Sequence, residues 1–285
     1  MPRGRHEDIG PTGHYTAYVW HRLRLPYAEL FRTRKGAALY WGGRASGEWL
    51  TEFSDRIPAM WQYLGHRHLL IDAQLDALDA DRVVELGAGL SRRGVTWAVD
   101  RGVRYVEIDL PHMIEAKRQR LEAAPAAVRA VLGDRLTLMS RDILDPGFAG
   151  ELGALLAGAE RPVVITEGVI MYFDFESRRK LLDAIASGLA RSGGGHYLAD
   201  VQTKDREHEA GVAPALLRRG IKLVTKGRGA SRGWEDWRHV EEFFHDRGFN
   251  RVRALDPRDL SSRQPALSRM RSPGSLVWAE VHGKP

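Results

Sequence analysis

Four acidic residues, Glu85, Asp109, Asp142 and Glu167, each stand at the end of a short strand-like run. Around the first lies Glu85-Leu-Gly-Ala-Gly89, a Gly-x-Gly turn between an apolar run and a helix-like pattern. That order of strand, glycine turn and helix opens a nucleotide-binding βαβ unit. Glycine is needed because any Cβ there would hold a ligand off the backbone. Asp109 follows Gly89 by twenty residues, and a carboxylate so placed can accept both hydroxyls of a ribose. Asp142, after the third run, suits an exocyclic amine such as N6 of adenine.

The residues around the turn separate the adenosine ligands. A dinucleotide fingerprint needs a third glycine, but Arg92 occupies that position and the next glycine is Gly94. Glu85 would repel a pyrophosphate. Glu85 and Glu167 together would attract a cation, and S-adenosylmethionine carries a sulfonium and an ammonium with no phosphate. Electrostatics therefore favour S-adenosylmethionine over a nicotinamide dinucleotide.

The elements that must position these residues follow from periodicity. Strand-like runs cover Arg82–Leu86, Arg104–Ile108, Leu136–Met139, Pro162–Thr166, His196–Val201, Arg251–Leu255 and Leu276–Val281. Helical patterns fall at about 91–101, 112–130, 148–158, 176–191, 205–219 and 235–248. Such alternation predicts an α/β fold: a Rossmann-like, mostly parallel seven-stranded sheet of short, buried, apolar strands with helices on both faces. Ligands of such sheets lie outside the carboxyl ends of the strands, which is where the four acids stand. Pro257, Pro265 and Pro273 leave no strong helix between the last two runs.

Upstream, residues 1–10 are polar. Tyr15, Tyr18, Val19, Arg22 and Leu23 fall at helical spacing, and Pro26 breaks the pattern. The glycines Gly42, Gly43 and Gly47, with Pro58, predict irregular structure over 36–58. From Ala59 to about Leu78 apolar spacing returns to that of a helix, which carries Arg67. We therefore divide the chain into an N-terminal helical lid and substrate region, 1–80, and a Rossmann-like domain, 81–285.

Composition narrows the class. The chain has 285 residues and no cysteine, which removes disulfides and thiol nucleophiles and argues against cytosine-C5 methylation. No apolar run approaches the ~20 residues of a spanning helix, so a soluble cytoplasmic protein with no membrane partner is expected. The net charge is +6, but 36 of the 43 basic residues are arginine, scattered among acids. That pattern fits codon bias better than a nucleic-acid footprint, and nucleic acid is disfavoured as a partner. The expected partner is a small-molecule acceptor, homo-oligomerisation is left open, and no metal is expected.

Three segments carry a resemblance: Val84-Glu-Leu-Gly-Ala-Gly-Leu-x-x-Arg93; Tyr105-Val-Glu-Ile-Asp-Leu-Pro-x-x-Ile114 with Lys117; and Ile165-Thr-Glu-Gly-Val-Ile-Met-Tyr172. They resemble the leucine carboxyl methyltransferase family, in its bacterial polyketide carboxyl/O-methyltransferase-like branch. The resemblance spans about 60–190. It implies a class I S-adenosylmethionine-dependent methyltransferase whose last strand is antiparallel. It further implies Gly87 at the cofactor backbone, Asp109 on the ribose, Asp142 and Ile143 around the adenine, Glu167 near the methionine portion and Arg67 on the cofactor carboxylate. The full cofactor set is then Arg67, Glu85, Gly87, Ala88, Gly89, Asp109, Leu110, Asp142, Ile143, Glu167 and Gly168. One departure stands out. Where the family has Asp-Thr-Arg, this chain has Ser91-Arg92-Arg93.

Methyl transfer from a sulfonium is an in-line displacement, in which the protein mainly aligns the reactants and excludes water. A carboxylate acceptor, of pKa ~4, needs no base; a phenol at ~10 does. No base stands out among His14, His21, His66, His68, His196 and His239, which favours an acceptor carboxylate over a hydroxyl. Tyr172 and His14 are the catalytic candidates, each with packing as the competing role. Trp234 and Trp237 could wall an acceptor pocket or pack in the core, and Lys117 reads as a structural or surface ion pair. The competing functions are a non-catalytic binding protein of the same fold and a nicotinamide-dependent oxidoreductase.

Overall fold

A computed structural model of the protein describes residues 10–45, 60–204, 233–255 and 275–283. Seven strands form one sheet: β1 (Arg82–Leu86), β2 (Arg104–Asp109), β3 (Leu136–Ser140), β4 (Pro162–Thr166), β5 (Gly194–Val201), β6 (Arg251–Leu255) and β7 (Ser275–His282). Their order is β3-β2-β1-β4-β5-β7-β6. β1 to β5 pair in parallel, and β7 runs antiparallel to both β5 and β6. The fold expected from the alternation is the fold observed. The order reverses between β1 and β4, and this is the switch point that opens a crevice at the carboxyl ends of the strands. β4 is apolar and buried and β1 is buried from Val83 onward, whereas β3 and β6, the two edge strands, hold no fully buried residue, contrary to the expectation for every strand.

The helices are α1 (Gly10–Arg22), α2 (Arg34–Ala45), α3 (Met60–Leu78), α4 (Arg93–Asp100), α5 (Pro111–Glu122), α6 (Ala126–Leu132), α7 (Phe148–Leu156), α8 (Phe175–Arg191) and α9 (Trp237–His245). Their ends follow local chemistry. Asp174 accepts the Ser177 N–H at the start of α8, and Asp236 the His239 N–H at the start of α9, both at 2.8 Å. Pro125 divides the expected 112–130 helix into α5 and α6, since a proline inside a helix removes a hydrogen bond. Val84, Leu86, Val164 and Tyr197 pack on the side of α7 and α8. Val83, Tyr105, Val163 and Ile165 pack toward α3 and α4.

The expectation of irregular structure over 36–58 is corrected by α2, which runs through Gly36, Gly42 and Gly43. Gly36 is the reason. A Cβ there would lie 2.2 Å from the His14 carbonyl oxygen, so the glycine allows α2 to close against α1, and this packing overrides low propensity. Residues 46–58, the 205–219 helical pattern and the prolines at 257, 265 and 273 lie outside the described residues. Trp234 is buried in the core, edge-on to Phe175 and Phe243, and Trp237 packs beside it. Neither lines the crevice, so packing is their role.

On the α4–α5 side of the sheet, Glu85 and Glu107 stand side by side on β1 and β2, both buried. Two adjacent buried carboxylates repel, and each needs its own cation. Arg93 at the head of α4 meets Glu85 at 2.6 Å. Lys117 of α5 pairs with Glu107, also in full burial, and lies over the Phe31 ring at 5.2 Å. Lys117 is thus a structural ion pair of the core. Gly94 is part of the same fit, since a Cβ there would fall 2.2 Å from a Glu107 carboxylate oxygen. Burial drives the Glu107 pKa up to about 7 despite Lys117. Removing one partner leaves the other charge stranded. Lys117→Met is therefore expected to destabilise the fold by about 3–5 kcal/mol in urea unfolding, with most of the loss recovered in Lys117→Met/Glu107→Leu. A loss below about 1 kcal/mol in the single variant would show that the pair is dispensable.

Candidate active site

β1 leads into the glycine turn without losing its pairing: Gly87 N–H and Ala88 N–H both donate to the Ile108 carbonyl of β2, at 2.7 and 3.3 Å. Gly87 has φ +68°, and a Cβ on it would meet Val169 at 2.4 Å, so the turn packs against the segment after β4. Asp109 ties the turn to the end of β2. Its two oxygens accept the Gly89 and Leu110 N–H groups at 2.6 and 2.7 Å. Each oxygen retains a second lone pair for a ligand hydroxyl. Burial raises the Asp109 pKa against the pull of these amides.

A cavity of about 360 Å³ opens at this edge of the sheet. All eleven residues expected around a cofactor line it: Arg67, Glu85, Gly87, Ala88, Gly89, Asp109, Leu110, Asp142, Ile143, Glu167 and Gly168. The opposite wall is apolar and aromatic, with Tyr15 and Trp20 from α1, Leu39 from α2, Met60, Tyr63 and Leu64 from α3, and Met171, Tyr172 and Phe173 after β4. Gly13 of α1 crosses the turn so closely that a Cβ on it would lie 3.9 Å from Gly89 Cα. Tyr172 donates to Thr12 Oγ1 of α1 at 3.4 Å, and burial raises its pKa, so the phenol stays protonated. His14 is not brought into the cavity. Its backbone carbonyl lies against Gly36 of α2, and burial together with Lys35, Arg120 and His112 lowers its pKa. His112, which was not among the histidines considered from sequence, does line the cavity.

Beneath the cavity lies a buried ionic network. Arg93, wholly buried, donates through Nε to Asp72 at 2.7 Å, through Nη1 to Glu85 at 2.6 Å and through Nη2 to Glu167 at 2.6 Å. Arg67 donates to Glu167 at 3.1 Å and to Asp200, near the end of β5, at 3.0 Å; Asp200 also accepts the Gly168 N–H at 2.5 Å. Arg92 pairs with Asp72, donates to Thr96 Oγ1 at 3.0 Å and reaches His68 Nε2 at 3.2 Å. His68 Nδ1, at the other side of the ring, faces both Glu167 and Arg93 Nη2 at 2.9 Å. Burial, with Arg93 close by, keeps this ring neutral, and Trp20 stacks on it at 4.3 Å between centroids. Burial works to raise the Glu167 pKa, but His68, Arg93 and Arg67 outweigh it and hold the carboxylate well below its usual range.

The Ser91-Arg92-Arg93 departure acquires a structural sense here, since both arginines are held by Asp72 of α3. Asp72 and Asp200 were missed in the sequence, and His68 entered there only among the possible bases. Two signals point to them: His68 and Asp72 share a helix face at i,i+4, and Asp200 is a fifth strand-end acid by the rule that found the first four.

Comparisons with known proteins agree with this architecture. A family model described as leucine carboxyl methyltransferase matches residues 22–186. No curated protein matches the chain by sequence. Among solved structures, the S-adenosylmethionine-dependent methyltransferase SibL in its apo form is similar at 20% identity and TM-score 0.52, over 79% of this chain and 56% of that one. An O-methyltransferase family protein from Burkholderia thailandensis is similar at 16% identity and TM-score 0.51, over 95% and 71%. The pyocyanin biosynthetic protein PhzM is similar at 15% identity and TM-score 0.52, over 78% and 56%. The chain thus spans little more than half of SibL and of PhzM, and the likeness at these identities is one of fold. The family model covers more than half of the sequence, and the chain belongs to the leucine carboxyl methyltransferase family.

Proposed function

We propose that this chain transfers the methyl group of S-adenosylmethionine to an oxygen of a small-molecule acceptor, a carboxylate or a hydroxyl such as those of polyketide-type natural products. The observation that carries the reading is the gathering of Glu85, Asp109, Asp142 and Glu167, with Arg67 among them, around one glycine turn at the switch point of the sheet. In this reading Asp109 takes the two ribose hydroxyls on its free lone pairs. Leu110 and Ile143 flank the adenine, and Asp142 accepts from its amine. Arg67 takes the cofactor carboxylate, while Glu167 faces the ammonium.

The chemistry asks little of the protein beyond placement. The acceptor oxygen attacks the methyl carbon opposite the sulfur, the carbon–sulfur bond breaks, and the sulfur keeps the electron pair as S-adenosylhomocysteine leaves. The apolar wall contributed by α1, α2 and α3 supports alignment and exclusion of water. We assign residues 1–80 to acceptor recognition on this basis. Tyr172 stays protonated and donates to Thr12, so it does not act as a base. A carboxylate acceptor needs no base.

The cofactor reading is tested by calorimetric titration of the protein with S-adenosylhomocysteine and, in parallel, with NADH. Micromolar affinity for the first and none for the second is expected. Binding of NADH alone would point to an oxidoreductase, and binding of neither to a scaffold without this activity. The ribose assignment is tested by Asp109→Ala, which is expected to weaken S-adenosylhomocysteine by at least about 100-fold, from two lost charge-assisted hydrogen bonds, without loss of the folded circular-dichroism spectrum. Unchanged affinity in that variant would sink the assignment.

A further inference from the structure

We propose that Arg93 is the positioning residue of this site: it holds Glu85 and Glu167 together as two charged carboxylates and so matches the cavity to a sulfonium in preference to a neutral thioether. The proposal rests on the S-adenosylmethionine reading given above. It starts from an unusual geometry. One fully buried guanidinium joins carboxylates from α3, β1 and the end of β4, and two of them, Glu85 and Glu167, also line the cavity. Neighbouring buried carboxylates ordinarily share a proton, because both cannot ionise at low dielectric. A planar fork of five donors can bridge them, whereas a lysine ammonium is a point charge.

The charges around each carboxylate can be named. Burial pushes the Glu85 carboxyl up, and Arg93 from α4, Lys117 from α5 and Tyr105 on β2, 2.7 Å from its carboxylate, pull against it, while Glu167 adds to the rise. Glu107 of β2, beside Glu85, is paired with Lys117. Glu167 faces Arg67 and His68 from α3, and Arg93. Asp72 and Asp200 complete the network through Arg92, Arg93 and Arg67. With His68 neutral, four acids (Asp72, Glu85, Glu167, Asp200) face three arginines (67, 92, 93), which leaves one negative charge in surplus. The amino-acid end of the cofactor is a zwitterion and adds no net charge. The sulfonium adds one positive charge and cancels the surplus. Methyl transfer removes that charge from sulfur, so the product leaves the surplus uncompensated and is held less well than the substrate.

Loss of Arg93 changes this balance in a way that packing alone does not. Four acids would face two arginines, and the Glu85–Glu167 pair would retain a proton in the neutral range. Binding a sulfonium would then require the proton to leave, whereas binding the thioether would not. The test measures calorimetric affinities for S-adenosylmethionine and S-adenosylhomocysteine from pH 5.5 to 7.5, in the wild type, Arg93→Met and Arg93→Lys. The wild type, in which Glu107 beside Glu85 titrates near 7, is expected to show at most a shallow slope for the sulfonium ligand. In Arg93→Met the sulfonium ligand is expected to tighten with rising pH, by up to about tenfold per unit for one proton released, while the thioether stays flat. Arg93→Lys, which keeps the charge but reaches one carboxylate, is expected to show a smaller slope of the same sign. Parallel, pH-independent weakening of both ligands would overturn the proposal and leave Arg93 a merely structural residue. Should Arg93→Met not fold, Glu85→Gln carries the test. It removes the surplus charge and is expected to weaken the sulfonium ligand about tenfold and leave the thioether unchanged, and an equal change in both would overturn the proposal. A wild type that binds neither ligand would instead remove the cofactor reading, and this proposal with it.

Discussion

Two carboxylates, Glu85 on β1 and Glu167 just after β4, expose little of their side chains to solvent and must be compensated from within. Arg93 is the tie that does so, and it also draws in Asp72 of α3. An unpaired charge at such a depth costs about 3–5 kcal/mol. That is a large share of the ~5–15 kcal/mol by which a domain is stable. The network must therefore form as a whole, and its formation fixes α3 and α4 against the strand ends at one place. Lys117 and Glu107 repeat the arrangement one strand further out, so the α4–α5 side of the sheet is held by charge as well as by apolar contact.

The same arrangement that stabilises the sheet edge prepares the site. Asp109 spends one lone pair of each oxygen in pinning the glycine turn, and the other remains available. Arg67 is clamped by Glu167 and Asp200, which fixes its fork in the cavity wall. Pre-organisation of this kind lowers the entropic cost of holding a flexible cofactor. Over the turn, α1 passes in near contact with Gly89, and Tyr172 reaches Thr12, so the wall facing the reactants comes from the N-terminal helices. Placement of the cofactor thus depends on the sheet, and the shape of the acceptor space on helices that precede it in the chain.

Much of this was legible in the sequence because strand-end acids and glycine turns are local signals. Glu85, Asp109, Asp142 and Glu167 could be found from the ends of apolar runs, and the strand boundaries fell within two residues of those observed. What the sequence hid is long-range. Asp72 is an ordinary helix acid until α3 is seen lying against the arginines of α4. Asp200 is a strand-end acid like the others, but its partners Arg67 and Gly168 lie far from it in the sequence. Gly36 reads as a helix breaker unless the close approach of α1 is known, and Trp234 stays between pocket wall and core packing until its neighbours Phe175 and Phe243 are placed. His14 and His112 show the limit most plainly, since neither spacing nor composition tells which one faces the cavity.

The central claim, that one charge network under the strand ends organises both the fold and a cofactor site, is tested most directly by a crystal structure of the protein with S-adenosylhomocysteine bound. The ribose is expected on Asp109, the adenine between Leu110 and Ile143, the ligand carboxylate at Arg67, and Arg93 still joined to Asp72, Glu85 and Glu167. A ligand seated away from the glycine turn, or a bound state in which Arg93 has left both glutamates, would contradict it.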